Sequence, residues 1–193
     1  MNLDAYEGII FDMDGTLVDS MPSHLEAWRL TCEHYGYPFD LDYMHSLGGV
    51  PTAETVQLLN QKYQLSHCEQ VVSKTKRVFW DNMTLVPSLI EVTVDILHKH
   101  YLSKPIGVGT GADRSHAEEL LTHHNLLSKL SALVTATDVT KGKPHPETFL
   151  AVAEQMNVKP DRCIVFEDTE IGFQAAKRAG MDCVLVKNGQ LIY

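Results

Sequence analysis

The sequence of 193 residues predicts an α/β fold, in which a doubly wound parallel sheet carries an inserted all-helical cap. Strand and helix patterns alternate from residue 86 onward, and such alternation is typical of parallel sheets. Residues 20–84 contain helical patterns without a convincing strand. The chain length suits one domain with a modest insertion. We therefore predict a core of residues 1–19 and 85–193 and a cap of residues 20–84, standing over the carboxyl ends of the strands.

The core begins with a short buried strand at the apolar run 8–11. Apolar runs and turn residues predict the later strands at 105–109, 132–135, 163–166 and 183–186, the last of them ending the sheet. Apolar positions at helical spacing, with proline at the start or glycine at the end, predict the core helices from 87, at 113–123, from 146 and at 170–179. The cap is predicted to contain a helix that ends at Gly36, followed by helices at 52–62 and 67–81.

Composition narrows the function classes. The formal net charge is -9 and no stripe of lysine and arginine is present, which argues against nucleic acid and acidic membrane surfaces as partners. The four cysteines form no C-x-x-C pair and are expected to be reduced thiols. No signal peptide pattern or membrane-spanning run occurs in the sequence. We expect a cytoplasmic, monomeric protein whose partner is a small molecule.

The segment after the first strand is the most informative one. Asp12 and Asp14 are two residues apart, so both carboxylates emerge on one side at the carboxyl end of the strand. Gly15 then allows a sharp turn. Ligands of open α/β sheets bind at this edge, and a divalent cation relieves the repulsion between adjacent carboxylates. An acidic turn without function would be the better interpretation of D-x-D alone, but the five-residue D-M-D-G-T behind an apolar strand favours a site.

Three further polar features fall at the ends of predicted strands. Thr110 and Gly111 form a turn that suits an anion, although an ordinary turn explains them equally well in isolation. Lys143 precedes a proline that excludes it from a regular helix, and a solvated basic loop is the alternative. Glu167 and Asp168 follow an apolar strand, where Asp168 could simply cap the next helix.

In this order, the four features resemble the four motifs of the haloacid dehalogenase-like phosphatase superfamily. The resemblance covers nearly the whole chain, through D-M-D-G-T-L-V-D, G-K-P-x-P and F-E-D-T-x-x-G. It is strongest to the branch with a Rossmann-like core and a small helical cap, which contains β-phosphoglucomutases and sugar-phosphate phosphatases. Within that branch, the sequence is most similar to the bacterial fructose-1-phosphate phosphatase-like group.

The resemblance implies a reaction through an aspartyl phosphate. Asp12 would be the nucleophile. Asp14 would protonate the departing oxygen and then deprotonate the water that hydrolyses the intermediate. Lys143 would neutralise the phosphoryl oxygens and keep Asp12 ionised, while Thr110 and the Gly111 N–H would hold a phosphoryl oxygen.

The resemblance also implies Mg²⁺ as the cofactor. Its ligands would be one Asp12 oxygen, the backbone carbonyl of Asp14 and the carboxylate of Asp168. Glu167 would act on the metal through a bound water, although direct contact stays open.

In the cap, the resemblance assigns substrate contacts less firmly. His24 lies where β-phosphoglucomutases have a histidine that contacts the second aspartate, but a helix histidine is commonly just solvated. The loop 47–52 resembles the cap loop that reads the sugar. Its Gly48 and Gly49 allow close approach of a substrate, or they merely end a helix.

The choice between phosphatase and mutase depends on a cation in the cap. A mutase must hold a second phosphate, and the mutase-like pattern has an arginine where this chain has Thr52. Lys74, Lys76 and Arg77 lie on a different predicted helix and could face solvent. The sequence therefore predicts a phosphatase of small sugar phosphates, such as fructose 1-phosphate. The alternatives are a β-phosphoglucomutase-type mutase and a non-catalytic sugar-phosphate sensor, which would be expected to have lost Asp12 or Lys143.

Overall fold

The computed structural model describes residues 2–83 and 86–192, and its centre is a six-stranded, mostly parallel sheet. The strands are ordered β5-β4-β1-β6-β7-β8, and only β8 runs antiparallel to its neighbour. Their bounds are β1 Gly8–Phe11, β4 Ile106–Gly109, β5 Ala132–Val134, β6 Cys163–Glu167, β7 Asp182–Lys187 and β8 Gln190–Ile192. All residues of β1, β4 and β6 are buried, as expected for the centre of a parallel sheet covered on both faces.

Four helices connect or cover these strands. They are α5 Glu91–His100, α6 Arg114–His123, α7 Glu147–Gln155 and α8 Glu170–Arg178. Two apolar clusters contain residues of the central strands and residues of these helices, and each cluster includes alternate residues of β1: Ile9 and Phe11 belong to one, Ile10 to the other. The alternation follows from the twofold periodicity of a strand whose two faces are both covered. The prediction of a doubly wound α/β core is confirmed.

Four further helices occupy the inserted segment. They are α1 Met21–Tyr35, α2 Leu41–Ser46, α3 Thr52–Tyr63 and α4 Glu69–Asp81. Their apolar faces form a third, separate cluster around Trp28, Leu59 and Val72. This separate core supports the predicted cap. Its predicted boundary at residues 84 and 85 lies outside the described residues.

Three features of the fold differ from the sequence prediction. The helix expected from Pro87 begins at Glu91, because Ser88–Leu89 (β3) pairs with Val18–Asp19 (β2). A strand of two residues has no periodicity to recognise. The helix α2 was also missed, although Asp40 caps it through its side chain.

The prediction that the strand at 183–186 ends the sheet is wrong. The chain turns at Asn188 and Gly189, both with positive φ, and returns as β8 along β7. An Asn-Gly pair with two left-handed residues is the signature of a tight hairpin, so this sequence signal was available.

Among the described residues, no helix combines the length and apolar composition needed to cross a bilayer.

Gly107 tests the close packing of the sheet against α7. A β-carbon at this position would lie 2.2 Å from Val152 Cγ1 and 2.9 Å from Met156 Sδ. We expect Gly107→Ala to lower the free energy of unfolding by about 1–3 kcal/mol because the core is overpacked, as measured by urea denaturation. The control Leu102→Ala, at a position 85% exposed, should change it by less than about 0.5 kcal/mol. Equal stability of both variants would contradict this packing.

Candidate active site

Three adjacent strands bring the predicted acidic residues and the threonine turn together. The strand β1 lies between β4 and β6, with Phe11 in register with both Val108 and Phe166. Asp12 continues β1, and its backbone N–H donates to the Phe166 carbonyl over 2.9 Å. Thr110 follows β4, and Glu167 ends β6. Parallel strands that end at one level therefore place these groups at one edge, as predicted for a ligand site.

Lys143 is the cation of this edge, and it is buried rather than solvated. Its Nζ lies 2.6 Å from Asp12 Oδ1 and 2.8 Å from Glu167 Oε1. The exposed fractions are 2% for Lys143, 3% for Asp12 and 0% for Glu167. Burial lowers the pKa of Lys143, but the two carboxylates outweigh burial and hold this pKa above its usual value. The alternative of a solvated basic loop is therefore excluded for the side chain of Lys143.

The remaining acids form a cluster that a divalent cation fits. Asp12, Glu167 and Asp168 each have a carboxylate oxygen within 4.8 Å of the others. Burial and the charge of Glu167 raise the pKa of Asp168 to about 7. Burial also raises the pKa of Asp12, opposed by Lys143. One lysine does not compensate three clustered acids, so this donor set of hard oxygens suits a metal ion such as Mg²⁺.

Both carboxylate oxygens of Glu167 accept hydrogen bonds. Oε1 accepts from Lys143, and Oε2 accepts from the backbone N–H of Thr169 over 2.6 Å and from its hydroxyl over 2.8 Å. Asp168 has fewer partners and packs over Gly15, where a β-carbon would lie 2.2 Å from Asp168 Oδ2. These contacts favour Asp168 as the direct ligand and Glu167 as a group that acts through water.

Asp14 points away from the acidic cluster. Its Oδ1 accepts hydrogen bonds from Ser20 Oγ over 2.5 Å and from His24 Nε2 over 3.1 Å. Burial alone would raise the pKa of Asp14, but His24 and Ser20 hold it below its usual range. The two aspartates that the sequence places two residues apart therefore lie in opposite electrostatic environments.

His24 is linked in turn to a lysine that the sequence analysis did not assign to the site. Lys76 Nζ, on α4, lies 3.0 Å from His24 Nδ1. An ammonium only donates, so Nδ1 accepts and Nε2 carries the proton that points at Asp14. Burial lowers the pKa of Lys76 to about 8, so most of it stays charged at pH 7. Lys76 therefore faces the site rather than solvent, and Ser20 and Lys76 are site residues that the sequence analysis missed.

The protonation state of His24 also determines how we interpret a second cluster of possible metal ligands. Asp14, His24 and His116 each have a possible ligand atom within 4.8 Å of the others. A metal ion at His24 Nε2 would require loss of the proton there, which the contact from Lys76 to Nδ1 opposes. We therefore interpret this cluster as a hydrogen-bonded group and not as a metal site.

The predicted cap loop lies directly on the core. A β-carbon at Gly111 would lie 2.4 Å from the Gly49 carbonyl oxygen. A cavity of about 70 Å³ lies beside this contact, and Asp12, Asp14, Thr110 and all predicted cap residues line it: His24, Gly48, Gly49 and Thr52. Trp28 and Lys76 complete its wall from the cap. Asp12, Asp14, Thr110 and Gly111 of the core thus share one cavity with the predicted cap residues, and Asp12 also belongs to the acidic cluster.

Both the sequence and the fold of this chain match known proteins. Residues 9–186 match the family model described as haloacid dehalogenase-like hydrolase. The chain belongs to this family. It is 39% identical over 182 residues to fructose-1-phosphate phosphatase YqaB of Escherichia coli, covering 94% of this chain and 97% of that protein. It is 33% identical over 181 residues to the phosphorylated carbohydrates phosphatase of Thermotoga maritima, covering 91% and 82%.

A solved structure confirms the fold. The crystal structure of β-phosphoglucomutase from Clostridium difficile superimposes with a TM-score of 0.80 at 29% identity, covering 95% of this chain and 85% of that one. The family membership confirms the resemblance stated from the motifs, and the named relatives confirm the expected class, a phosphoric monoester hydrolase.

Removal of Lys143 tests the buried ion group. Lys143→Met leaves two buried carboxylates without the lysine that contacts both, so we expect a loss of roughly 3–5 kcal/mol in unfolding free energy at pH 8. The pKa of Asp12 would rise further above its unfolded value. Below the unfolded pKa of about 3.9, both states are protonated and this penalty is absent, so it grows as pH rises.

Urea denaturation of this variant at pH 5 and pH 8 should therefore show the larger loss at pH 8. Lys74→Met, which removes an exposed lysine, is the control and should cost less than about 0.5 kcal/mol at either pH. A loss that does not depend on pH would contradict the assignment.

Gly111 tests the contact between cap loop and core. Gly111→Ala introduces a β-carbon that collides with the Gly49 carbonyl, so the cap loop must shift. We expect kcat/KM to fall roughly 10- to 100-fold because substrate groups are misplaced, while the melting temperature changes little. In the wild-type protein, we expect a bound phosphate mimic to slow amide hydrogen exchange in residues 47–52, and this slowing should be smaller in Gly111→Ala. Full activity in Gly111→Ala would show that this contact is unnecessary.

Proposed function

We propose that the protein is a Mg²⁺-dependent phosphatase of small sugar phosphates that reacts through an aspartyl phosphate on Asp12. One observation supports this most strongly: Asp12 is buried, contacts Lys143, and opens onto the cavity that Asp14 also lines. A nucleophile that contacts a cation and a proton-transfer group therefore line one space. The chain has both Asp12 and Lys143, and a non-catalytic sensor would be expected to have lost one of them.

The side chains divide the reaction between them. Asp12 attacks phosphorus as a carboxylate. Lys143 opposes the effect of burial on the pKa of Asp12, which is still raised in the chain alone, and a bound cation would lower this pKa further. Thr110 and the Gly111 N–H hold a phosphoryl oxygen at the carboxyl edge of the sheet. Mg²⁺ would be held by Asp12, Asp168 and the Asp14 backbone carbonyl, and it would supply positive charge for the phosphoryl oxygens.

Asp14 transfers a proton in both steps of the reaction. An anionic phosphoryl group nearby raises the pKa of a carboxylate, so bound substrate favours the protonated form of Asp14 that protonates the leaving oxygen. The resulting carboxylate then takes a proton from the attacking water. Ser20 and His24 fix its orientation through their hydrogen bonds.

The substrate proposal is a monophosphate such as fructose 1-phosphate. It rests on the similarity to the Escherichia coli enzyme and on Thr52, which offers no charge to a second phosphate. A sugar-phosphate mutase is the second candidate, favoured by the buried Lys76 in the cavity wall and by the solved mutase structure.

We further propose a cytoplasmic monomer, in keeping with four cysteines that form no disulfide.

The nucleophile is tested by a single isosteric change. Asp12→Asn keeps the shape and removes the attacking charge, so Mg²⁺-dependent release of phosphate from p-nitrophenyl phosphate should be abolished while the circular dichroism spectrum is unchanged. Asp19→Asn makes the same change at an exposed carboxylate and should retain activity. Wild-type activity in purified Asp12→Asn would refute the aspartyl-phosphate mechanism.

The substrate class is tested by phosphate release from a panel of hexose and pentose monophosphates. We expect the highest kcat/KM for ketose 1-phosphates, and loss of all activity with a chelator that is restored by Mg²⁺. Conversion of β-glucose 1-phosphate to glucose 6-phosphate, with a bisphosphate primer and little free phosphate, would instead establish the mutase.

A further inference from the structure

A second, smaller cavity lies beside the active site, between α4 of the cap and α6 of the core. Its volume is about 50 Å³, above the roughly 10–15 Å³ that one water needs. Within the described part of the chain, four buried side-chain polar atoms lack a hydrogen-bond partner. Three of them belong to residues that line this cavity: Ser73 Oγ, Arg77 Nη1 and His116 Nε2. Buried polar groups are normally paired, so this concentration indicates an occupant.

The cavity adjoins the position of the reacting group. It shares His24, Thr52, Lys76 and Ala112 with the active-site cavity. His116 also has a ring nitrogen within 4.8 Å of the Asp14 carboxylate. A leaving alcohol whose oxygen lies at Asp14 therefore extends toward this cavity.

The charges around the cavity favour a neutral occupant. Arg77 already pairs with Asp81 over 2.7 Å and with Glu119 over 2.5 Å. Asp113 also lines the cavity, and its negative charge partly offsets that of Lys76. Burial lowers the pKa of His116 to about 4, so its imidazole is neutral at pH 7.

The three unpaired atoms differ in whether they donate or accept hydrogen bonds. Arg77 Nη1 only donates, Ser73 Oγ donates or accepts, and a neutral imidazole nitrogen does one or the other. A hydroxyl group, which both donates and accepts, satisfies such a mixed set, whereas a carboxylate or phosphate accepts only.

We propose that this cavity is a specificity subsite in which Ser73, Arg77 and His116 bind hydroxyl groups of the leaving sugar. The inference rests on the proposed phosphatase function and adds how the enzyme selects polyhydroxylated esters over short ones. A site built to pair with hydroxyls discriminates against analogues that lack them, because its buried polar groups then stay unpaired.

Two variants and two matched controls test the subsite. Ser73→Ala and His116→Leu each remove one unpaired group, while Ser115→Ala and His123→Leu make the same changes at exposed positions on α6. The measurement is kcat/KM for fructose 1-phosphate relative to acetyl phosphate, which carries no hydroxyl on its leaving group. We expect the ratio to fall roughly three- to tenfold in each subsite variant, mainly through KM, and to stay unchanged in the controls.

The outcomes separate the subsite from the proposed function. Phosphate release by neither substrate with the wild-type enzyme would overturn the phosphatase itself. Activity with an unchanged ratio in both subsite variants would overturn the subsite, leaving a cavity that holds only water. An effect confined to sugar phosphates with a second phosphate or a carboxylate would overturn the assignment to hydroxyls.

A measurement on the wild-type enzyme covers the case in which a variant does not fold. Deoxy analogues of fructose 1-phosphate remove one hydroxyl at a time from the substrate. At least one of them should lose a similar factor in kcat/KM, and equal values for all analogues would overturn the proposal.

Discussion

The contact of Lys143 with Asp12 and Glu167 is the interaction on which the rest of the site depends. A carboxylate that attacks phosphorus must be ionised, yet burial at the end of β1 opposes its charge. Lys143 lies within hydrogen-bond distance of Asp12 and opposes the effect of burial on its pKa without cancelling it, and Glu167 in turn contacts Lys143. Glu167 is itself held by the backbone and hydroxyl of Thr169 at the start of α8. Asp12 is thus supported by a chain of contacts that reaches from the β5–α7 loop to the β6–α8 turn.

Two aspartates so close in sequence can perform different tasks because the fold separates their environments. Asp12 faces other carboxylates and a lysine, and its pKa is raised. Asp14 faces hydrogen-bond donors from Ser20 and His24, and its pKa is lowered. In the proposed reaction, a bound cation would lower the pKa of Asp12 and an anionic phosphoryl group would raise that of Asp14, so each would acquire the protonation state of its role once metal and substrate are bound. The donors of Asp14 come from the start of α1 and its N-cap, and Lys76 from α4 contacts His24, so the cap would take part in the proposed proton transfer as well as covering the site.

Close contacts at two glycines of the core, Gly111 and Gly142, couple this cap to the core. Gly49 approaches Gly111 at a distance that no side chain would permit, and a β-carbon at Gly142 would lie 3.0 Å from Pro51. The cap loop therefore rests on both the threonine turn and the lysine loop. These contacts would limit the access of water to the position proposed for the phosphoryl group.

The sequence by itself determined the α/β class, the helical insertion, the strand ends that carry Asp12, Thr110 and Asp168, and the loop that carries Lys143, because these depend on local periodicity and short motifs. The tertiary structure decided what depends on distant residues: the burial of Lys143, the orientation of Asp14 toward Ser20 and His24, and the place of Lys76. Helical spacing could not show which face of α4 meets α1, so the sequence left Lys76 without a role. Likewise, only the packing of α4 against α6 brings Ser73, Arg77 and His116 to one cavity, since no local pattern relates residues about 40 positions apart.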